Sequence, residues 1–199
     1  MDHVSRKEAR ERLLAGAVTC LAEKGYARTT ARDLVAASGT NLASIGYHFG
    51  GKDALLHEAI ADCFEAWTER VERTIFGPGG VGSPRELLER AMTALVDVFD
   101  ELRPQLVVCL EGYPAALRES ALRDKLAAAY AKSRQAGVDM LRRAGTEFGV
   151  EMPVAPEVLV SVLIAITDGL MIQWLLDPES TPDARQVVQA LAALSQITG

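Results

Sequence analysis

Cysteine is scarce in this 199-residue chain. Cys20, Cys63 and Cys109 are an odd number, with gaps of 43 and 46 positions. That spacing fits no zinc knuckle, no redox CxxC and no disulfide framework, and it predicts three reduced thiols in a core. Histidine is equally scarce. His3, His48 and His57 form no HExxH and no ExxH pair, so no metal site is expected. Neither GxSxG, a P-loop nor GxGxxG occurs. The glycine-rich stretch from Phe76 to Ser83 has no strand before it and no GK[ST] after it, and reads as a loop. No catalytic residue and no cofactor is therefore expected. The first twelve residues are charged and lack the apolar run of a signal peptide. One apolar run, Val158 to Leu176, contains Ser161, Thr167, Asp168 and Gln173. A central Asp costs about 3 kcal/mol in a bilayer, so this run reads as a buried helix, with no membrane partner and a cytoplasmic location.

Strand-like alternation is also nearly absent, and Ala, Leu, Glu and Arg dominate. The expectation is an all-α fold of about nine helices. Leu13, Leu14, Ala17, Val18 and Leu21 recur at helical spacing up to Lys24, and Gly25 supplies a stop. Thr30 and Asp33 have capping-box spacing before a short helix to Ser38, with Leu34 and Ala37 expected to face inward. Gly39 turns the chain. Asn41 is a candidate N-cap for a second short helix to about His48, whose Ile45 packs inward with Phe49. A long helix runs from Lys52 toward Ile75. Further helices are expected from Pro84 to about Leu102, from Pro104 to about Tyr113 with an interruption at Pro114, and from Glu119 to Phe148. Pro153 and Pro156 introduce the apolar helix to Leu176, and a last helix covers Asp183 to about Ile197.

Charge is distributed unevenly. Residues 1–53 hold 8 Lys/Arg against 6 Asp/Glu, whereas residues 54–199 hold 13 against 21. Only the first end therefore suits a polyanion. Within it, two short helices joined by a glycine turn have the format of a helix-turn-helix, whose second helix enters the major groove. The outward face of that helix offers Leu42, Ala43, Ser44, Gly46 and Tyr47, side chains small or flat enough for close approach. Lys52 brings a charge to a helix start, and Tyr47 carries a hydroxyl on a stiff arm. Leu42 and Ala43 can touch thymine methyl groups.

Gly25-Tyr26, Thr29-Thr30, Ser38-Gly39, Tyr47-His48-Phe49 and Lys52-Asp53-Ala54-Leu55 stand in order and at the spacing of a known signature. In these residues the chain resembles the tetracycline-repressor (TetR/AcrR) family of transcription regulators. The segment Ile166 to Pro178 is similar to that family's penultimate helix. The resemblance implies that Thr30, Tyr47, His48 and Lys52 hold DNA phosphates. It also implies that Thr40, Asn41, Leu42, Ala43, Ser44 and Gly46 lie on or beside the groove-reading face. Thr40, Leu42 and Gly46 depart from the family's usual residues, which bears on the DNA sequence read.

The expected division is a DNA-binding domain over residues 1–52 and an effector-binding and dimerisation domain over residues 53–199. The resemblance implies a homodimer on a double-stranded DNA operator, acting as a repressor released by a small-molecule effector. Phe64, Trp67, Met92, Phe99, Cys109, Tyr113, Met140 and Trp174 could line an effector pocket, with Tyr113 and Gln173 as polar anchors. Each also suits a plain core position. Their character predicts an apolar or aromatic effector. The helix to Leu176 is apolar nearly all round, so a partner is expected on Leu163, Ala165, Ile166, Gly169, Leu170 and Ile172. The alternative is an all-helical enzyme or small-molecule-binding protein with an incidental helix-turn-helix.

Overall fold

Helix ends in this chain are set by short-range signals. The structure, a computed structural model, describes residues 2–75, 82–149 and 154–198. The segment Phe76–Val81 of the expected loop, and Pro153, lie outside them. Among the described residues the chain forms nine helices and no strand: α1 (Asp2–Lys24), α2 (Ala31–Ser38), α3 (Leu42–Phe49), α4 (Lys52–Ile75), α5 (Pro84–Glu101), α6 (Arg103–Ala116), α7 (Ser120–Phe148), α8 (Pro156–Leu176) and α9 (Ala184–Thr198). Gly25, with φ 75°, ends α1 in the left-handed region that glycine adopts without strain. Ser83 caps α5 by accepting from the Glu86 N–H at 3.1 Å, and Pro84 follows in its first turn.

The expected interruption at Pro114 is not observed, because α6 continues to Ala116. A proline removes one N–H, and here the lost bond falls in the last turn. The end is closed by Leu117 N to Tyr113 O at 3.1 Å and Glu119 N to Ala115 O at 2.9 Å.

The chain divides into two compact units. The first comprises residues 1–66 and 103–129, and the second residues 67–102 and 130–199. In the first, α1 packs on α2, α3 and α6. Leu13, Leu21, Leu34, Ile45, Leu55, Leu56, Ile60, Leu106 and Cys109 are buried there. Each buried Leu or Ile stabilises the fold by about 1.5–3 kcal/mol relative to exposure. The inward residue of α2 beside Leu34 is Ser38, and the expected Ala37 is exposed. The reason is twofold. A Cβ on Gly16 of α1 would stand 3.0 Å from the Ser38 nitrogen, so this crossing is close. The Ser38 hydroxyl also satisfies itself by donating to the Leu34 carbonyl at 2.7 Å.

In the second unit α5 packs on α8 and α9, and the rings of Phe99 and Trp174 meet at 5.6 Å. Antiparallel α7 and α8 cross closely, since a Cβ on Gly137 would stand 2.8 Å from Val160 Cγ1. The expectation that α8 is a buried helix holds on one face only. Val160, Thr167, Leu170, Met171 and Trp174 are buried, whereas Val158, Val162, Ala165, Ile172 and Leu176 are exposed. By length and composition α8 alone among the described helices could cross a membrane. All three cysteines are buried, and no disulfide joins them.

Candidate nucleic-acid interface

The two short helices are fixed at both ends by their own residues. The Thr30 hydroxyl accepts from Asp33 N at 3.2 Å, and the Asp33 carboxylate accepts from Thr30 N at 2.9 Å, completing the capping box. Lys24 Nζ reaches the same carboxylate at 2.6 Å. Hydrogen bonds first from Lys24 and then from Thr30 hold the Asp33 carboxyl well below its ordinary range. Asn41 Oδ1 caps α3 by accepting from Ser44 N at 3.0 Å and from the Ser44 hydroxyl at 3.1 Å. Gly39 and Gly50, at φ 62° and 82°, terminate α2 and α3 in left-handed conformations. Thr40, in the turn, shares a 2.7 Å hydroxyl contact with Ser38.

This scaffold leaves one face of α3 outward. Ile45 is buried and Phe49 half-buried, whereas Leu42 is 56% exposed and Tyr47 is 66% exposed. Asn41, Ala43 and Gly46 are also exposed, with Ser44 and His48 half-buried. A Cβ on Gly46 would meet no atom within 4 Å, so the backbone there is open to a close approach.

Charge surrounds that face. The Arg6 guanidinium lies 5.6 Å from the Tyr47 ring centre, and Arg10 lies 5.3 Å from that of Phe49. Arg10 also pairs with Glu58 of α4. The sequence shows these arginines crowding α1 without showing where they land, because the contacts span about 40 positions. Lys52 opens α4, with its ammonium 2.9 Å from Asp53 and 5.6 Å from the Tyr26 ring centre. Thr30 donates its hydroxyl proton to the Asp33 carboxylate at 2.7 Å. A phosphate only accepts, so a contact from Thr30 requires that proton to turn away from Asp33.

The expected effector residues fall in both units. Phe64, Cys109 and Tyr113 belong to the first, where Phe64 and Tyr113 meet edge-on at 5.7 Å. Trp67, Met92, Phe99, Met140, Gln173 and Trp174 belong to the second. Met92, Phe99, Trp67 and Trp174 are buried, Met140 packs on the Ala91–Ala94 cluster, and Gln173 is exposed. The Trp67 indole N–H is buried without a hydrogen-bond acceptor. Sequence reasoning missed Asp168 as a polar feature of this interior. Its carboxylate accepts from the Tyr130 hydroxyl at 2.7 Å, and burial pushes its pKa up.

Comparison with known proteins agrees with this geometry. The family model described as "Bacterial regulatory proteins, tetR family" matches residues 13–59. That described as "BetI-type transcriptional repressor, C-terminal" matches residues 84–198. The HTH-type transcriptional repressor Rv1474c of Mycobacterium tuberculosis is 33% identical over 172 residues, covering 85% of this chain and 83% of that protein. A protein of Saccharomonospora viridis assigned as a transcriptional regulator, solved in complex with choline, superposes with a TM-score of 0.74. It is 27% identical over 96% of both chains. A protein of Pseudomonas aeruginosa PAO1 with the same assignment gives a TM-score of 0.76 at 26% identity, over 94% of this chain and 88% of that one.

Proposed function

The chain belongs to the TetR family of ligand-responsive, DNA-binding transcriptional regulators, and from that premise we propose that it is a homodimeric cytoplasmic repressor whose α3 helices read the two halves of a palindromic operator. It is a regulator and not an enzyme. The observation that carries the reading is the outward face of α3: Leu42, Ala43, Gly46 and Tyr47 point away from the core, flanked by Arg6 and Lys52. Residues 1–52 bind DNA. Tyr47, His48, Thr30 and Lys52 hold phosphates, which fix register. Thr40, Asn41, Leu42, Ala43, Ser44 and Gly46 meet the groove, where sequence is read.

Residues 53–199 bind the effector and the partner chain. The partner covers the exposed stripe of α8. Val158, Val162, Ala165, Gly169, Ile172 and Leu176 recur every three or four positions along one helix face. Ala165, Gly169 and Ile172 are at its centre, Leu163 and Ile166 flank it, and Leu170 supports it from the buried side. Covering the stripe with a second α8–α9 pair, rather than with lipid, also keeps Asp168 and Tyr130 out of a bilayer.

The effector works through linkage. A ligand that prefers the conformer with badly spaced reading heads weakens operator binding by the factor with which the operator weakens it. The aromatic and Met-rich interior suits an apolar or aromatic compound. Asp168 favours a second class, a compact organic cation, and choline in the Saccharomonospora viridis neighbour is of that class. The DNA reading is tested with operator duplex. Lys52→Ala weakens binding to every sequence, whereas Leu42→Ala and Ser44→Ala change sequence preference. Equal behaviour of all three on specific and random duplex refutes the assignment.

A further inference from the structure

One residue joins three helices in the first unit. Tyr26 follows the glycine that ends α1, and its backbone N–H donates to Glu111 Oε2 of α6 at 3.0 Å. Its hydroxyl is 2.9 Å from His57 Nε2 of α4, with the two ring planes 10° apart. Its ring faces the Lys52 ammonium at 5.6 Å. Burial, with smaller contributions from Asp53 and Glu119, raises the Tyr26 pKa to about 12. Burial also lowers that of His57, so the contact joins an un-ionised phenol to a neutral imidazole.

Glu111 is the outer end of this chain of contacts. It accepts from the Tyr26 N–H just beyond the end of α1, and it does so at close quarters. A Cβ on Gly25 would stand 2.7 Å from its carboxylate, so the connection between α1 and α2 is seated directly on α6. Thr29 locks the other side of the connection, donating to the Gly25 carbonyl at 2.8 Å. Glu111 thus holds the backbone of Tyr26 and His57 meets its hydroxyl, and the Lys52 ammonium lies 5.6 Å from the centre of the ring held between them.

We infer that Glu111 is a positioning residue for DNA binding: through Tyr26 it sets where Lys52 presents its charge to a phosphate. The inference rests on the reading of Lys52 as a phosphate contact. It carries a sign that simple electrostatics cannot produce. Glu111 is an acid in the same compact unit as α3, so removing its charge should tighten binding to a polyanion if only its field mattered. If its geometry matters, removal weakens binding.

The experiment uses the full-length protein and an operator duplex recovered by selecting genomic fragments on it. Affinity is measured against salt for wild type, Lys52→Ala, Glu111→Ala, Glu111→Asp, Glu111→Gln and the Glu111→Ala/Lys52→Ala pair. Lys52→Ala should lower the salt slope by about 0.9 per protomer. Glu111→Ala should weaken binding about two- to fivefold per protomer, the worth of a half-exposed cation–π contact. It should add nothing to Lys52→Ala. Glu111→Asp keeps the charge but withdraws the oxygen by a methylene, so it should weaken binding as Glu111→Ala does. It also carries the test if Glu111→Ala does not fold. Glu111→Gln keeps an acceptor for Tyr26 N–H and should bind at least as tightly as wild type. If Glu111→Asp binds like wild type, or if Glu111→Ala is additive with Lys52→Ala, the positioning role is overturned while Lys52 stands. If Lys52→Ala leaves the salt slope unchanged, the phosphate reading fails and the inference falls with it.

Discussion

Gly169→Arg separates the fold of the chain from its assembly. Gly169 is helical, and a Cβ built on it meets no atom within 4 Å of its own chain, so an arginine there can be accommodated by the single chain. On the proposed interface it faces a second α8. The apolar side chains on that surface, Val158, Val162, Ile172 and Leu176 of α8 with Leu194 of α9, are between 38% and 81% exposed in the single chain. Burying the exposed part of each contributes about 1 kcal/mol, or about 10 kcal/mol for the ten side chains of a dimer. Association itself costs roughly 4–15 kcal/mol. An unpaired buried guanidinium costs about 3–5 kcal/mol, and the two-fold axis counts it twice. The penalty equals most of the gain, and at about 1.4 kcal/mol per tenfold it weakens dimerisation by at least about 10⁴. Sedimentation velocity at micromolar concentration should show wild-type dimers and variant monomers, with the same helical circular dichroism. A variant that stays dimeric, or a wild type that is monomeric, refutes the interface. A variant that loses its helix content refutes the claim that the single chain tolerates the side chain.

Other consequences are equally accessible. Burial raises the Asp168 pKa in the folded chain, so the folded state holds its proton more tightly than the unfolded one. This contribution therefore favours folding at low pH and is lost as pH rises from the ordinary carboxylate value through the folded value. Asp168→Asn should stabilise the protein at pH 7, and its advantage should shrink as the wild-type carboxyl protonates in a pH series of urea melts. His57 has the opposite sign. Its depressed pKa gives stability that is present above about pH 6.5 and lost as pH falls through the folded value, a dependence that His57→Gln should abolish. Trp67 and Trp174 are both buried in the second unit. Titration with hydrophobic aromatic compounds and with choline should give saturable fluorescence changes for effectors, each tracking loss of operator binding. Fluorescence changes without loss of DNA binding would assign the compound to an unrelated site.

What was legible in the sequence was local. The capping box of Thr30 and Asp33, the cap at Asn41, the stop at Gly25 and the prolines at 84 and 156 act within three or four residues, so they can be read without a fold. Pro114 misled because the one bond it removes, to the Leu110 carbonyl, falls in the last turn of α6, and the bonds around it still close the helix at Ala116. Ala37 and Ser38 exchanged roles because a close crossing with Gly16 admits a small hydroxyl residue that bonds its own helix. The partners of the site are distant in sequence. Glu111 lies 85 positions from Tyr26, and Glu58 lies 48 from Arg10. The residues expected to line an effector pocket share a mostly apolar character that cannot say which compact unit each joins. The structure divides them between two.

The central claim is sequence-specific DNA binding by a two-fold pair of α3 helices. It is tested most directly by incubating the purified protein with fragmented genomic DNA, sequencing what is retained and footprinting the enriched site. The account predicts one or a few fragments sharing an inverted repeat, with half-sites about one helical turn, roughly 34–36 Å, or a multiple apart, and with protection centred on the major groove of each half. Retention of fragments without a shared symmetric motif, or of none above background, would contradict it.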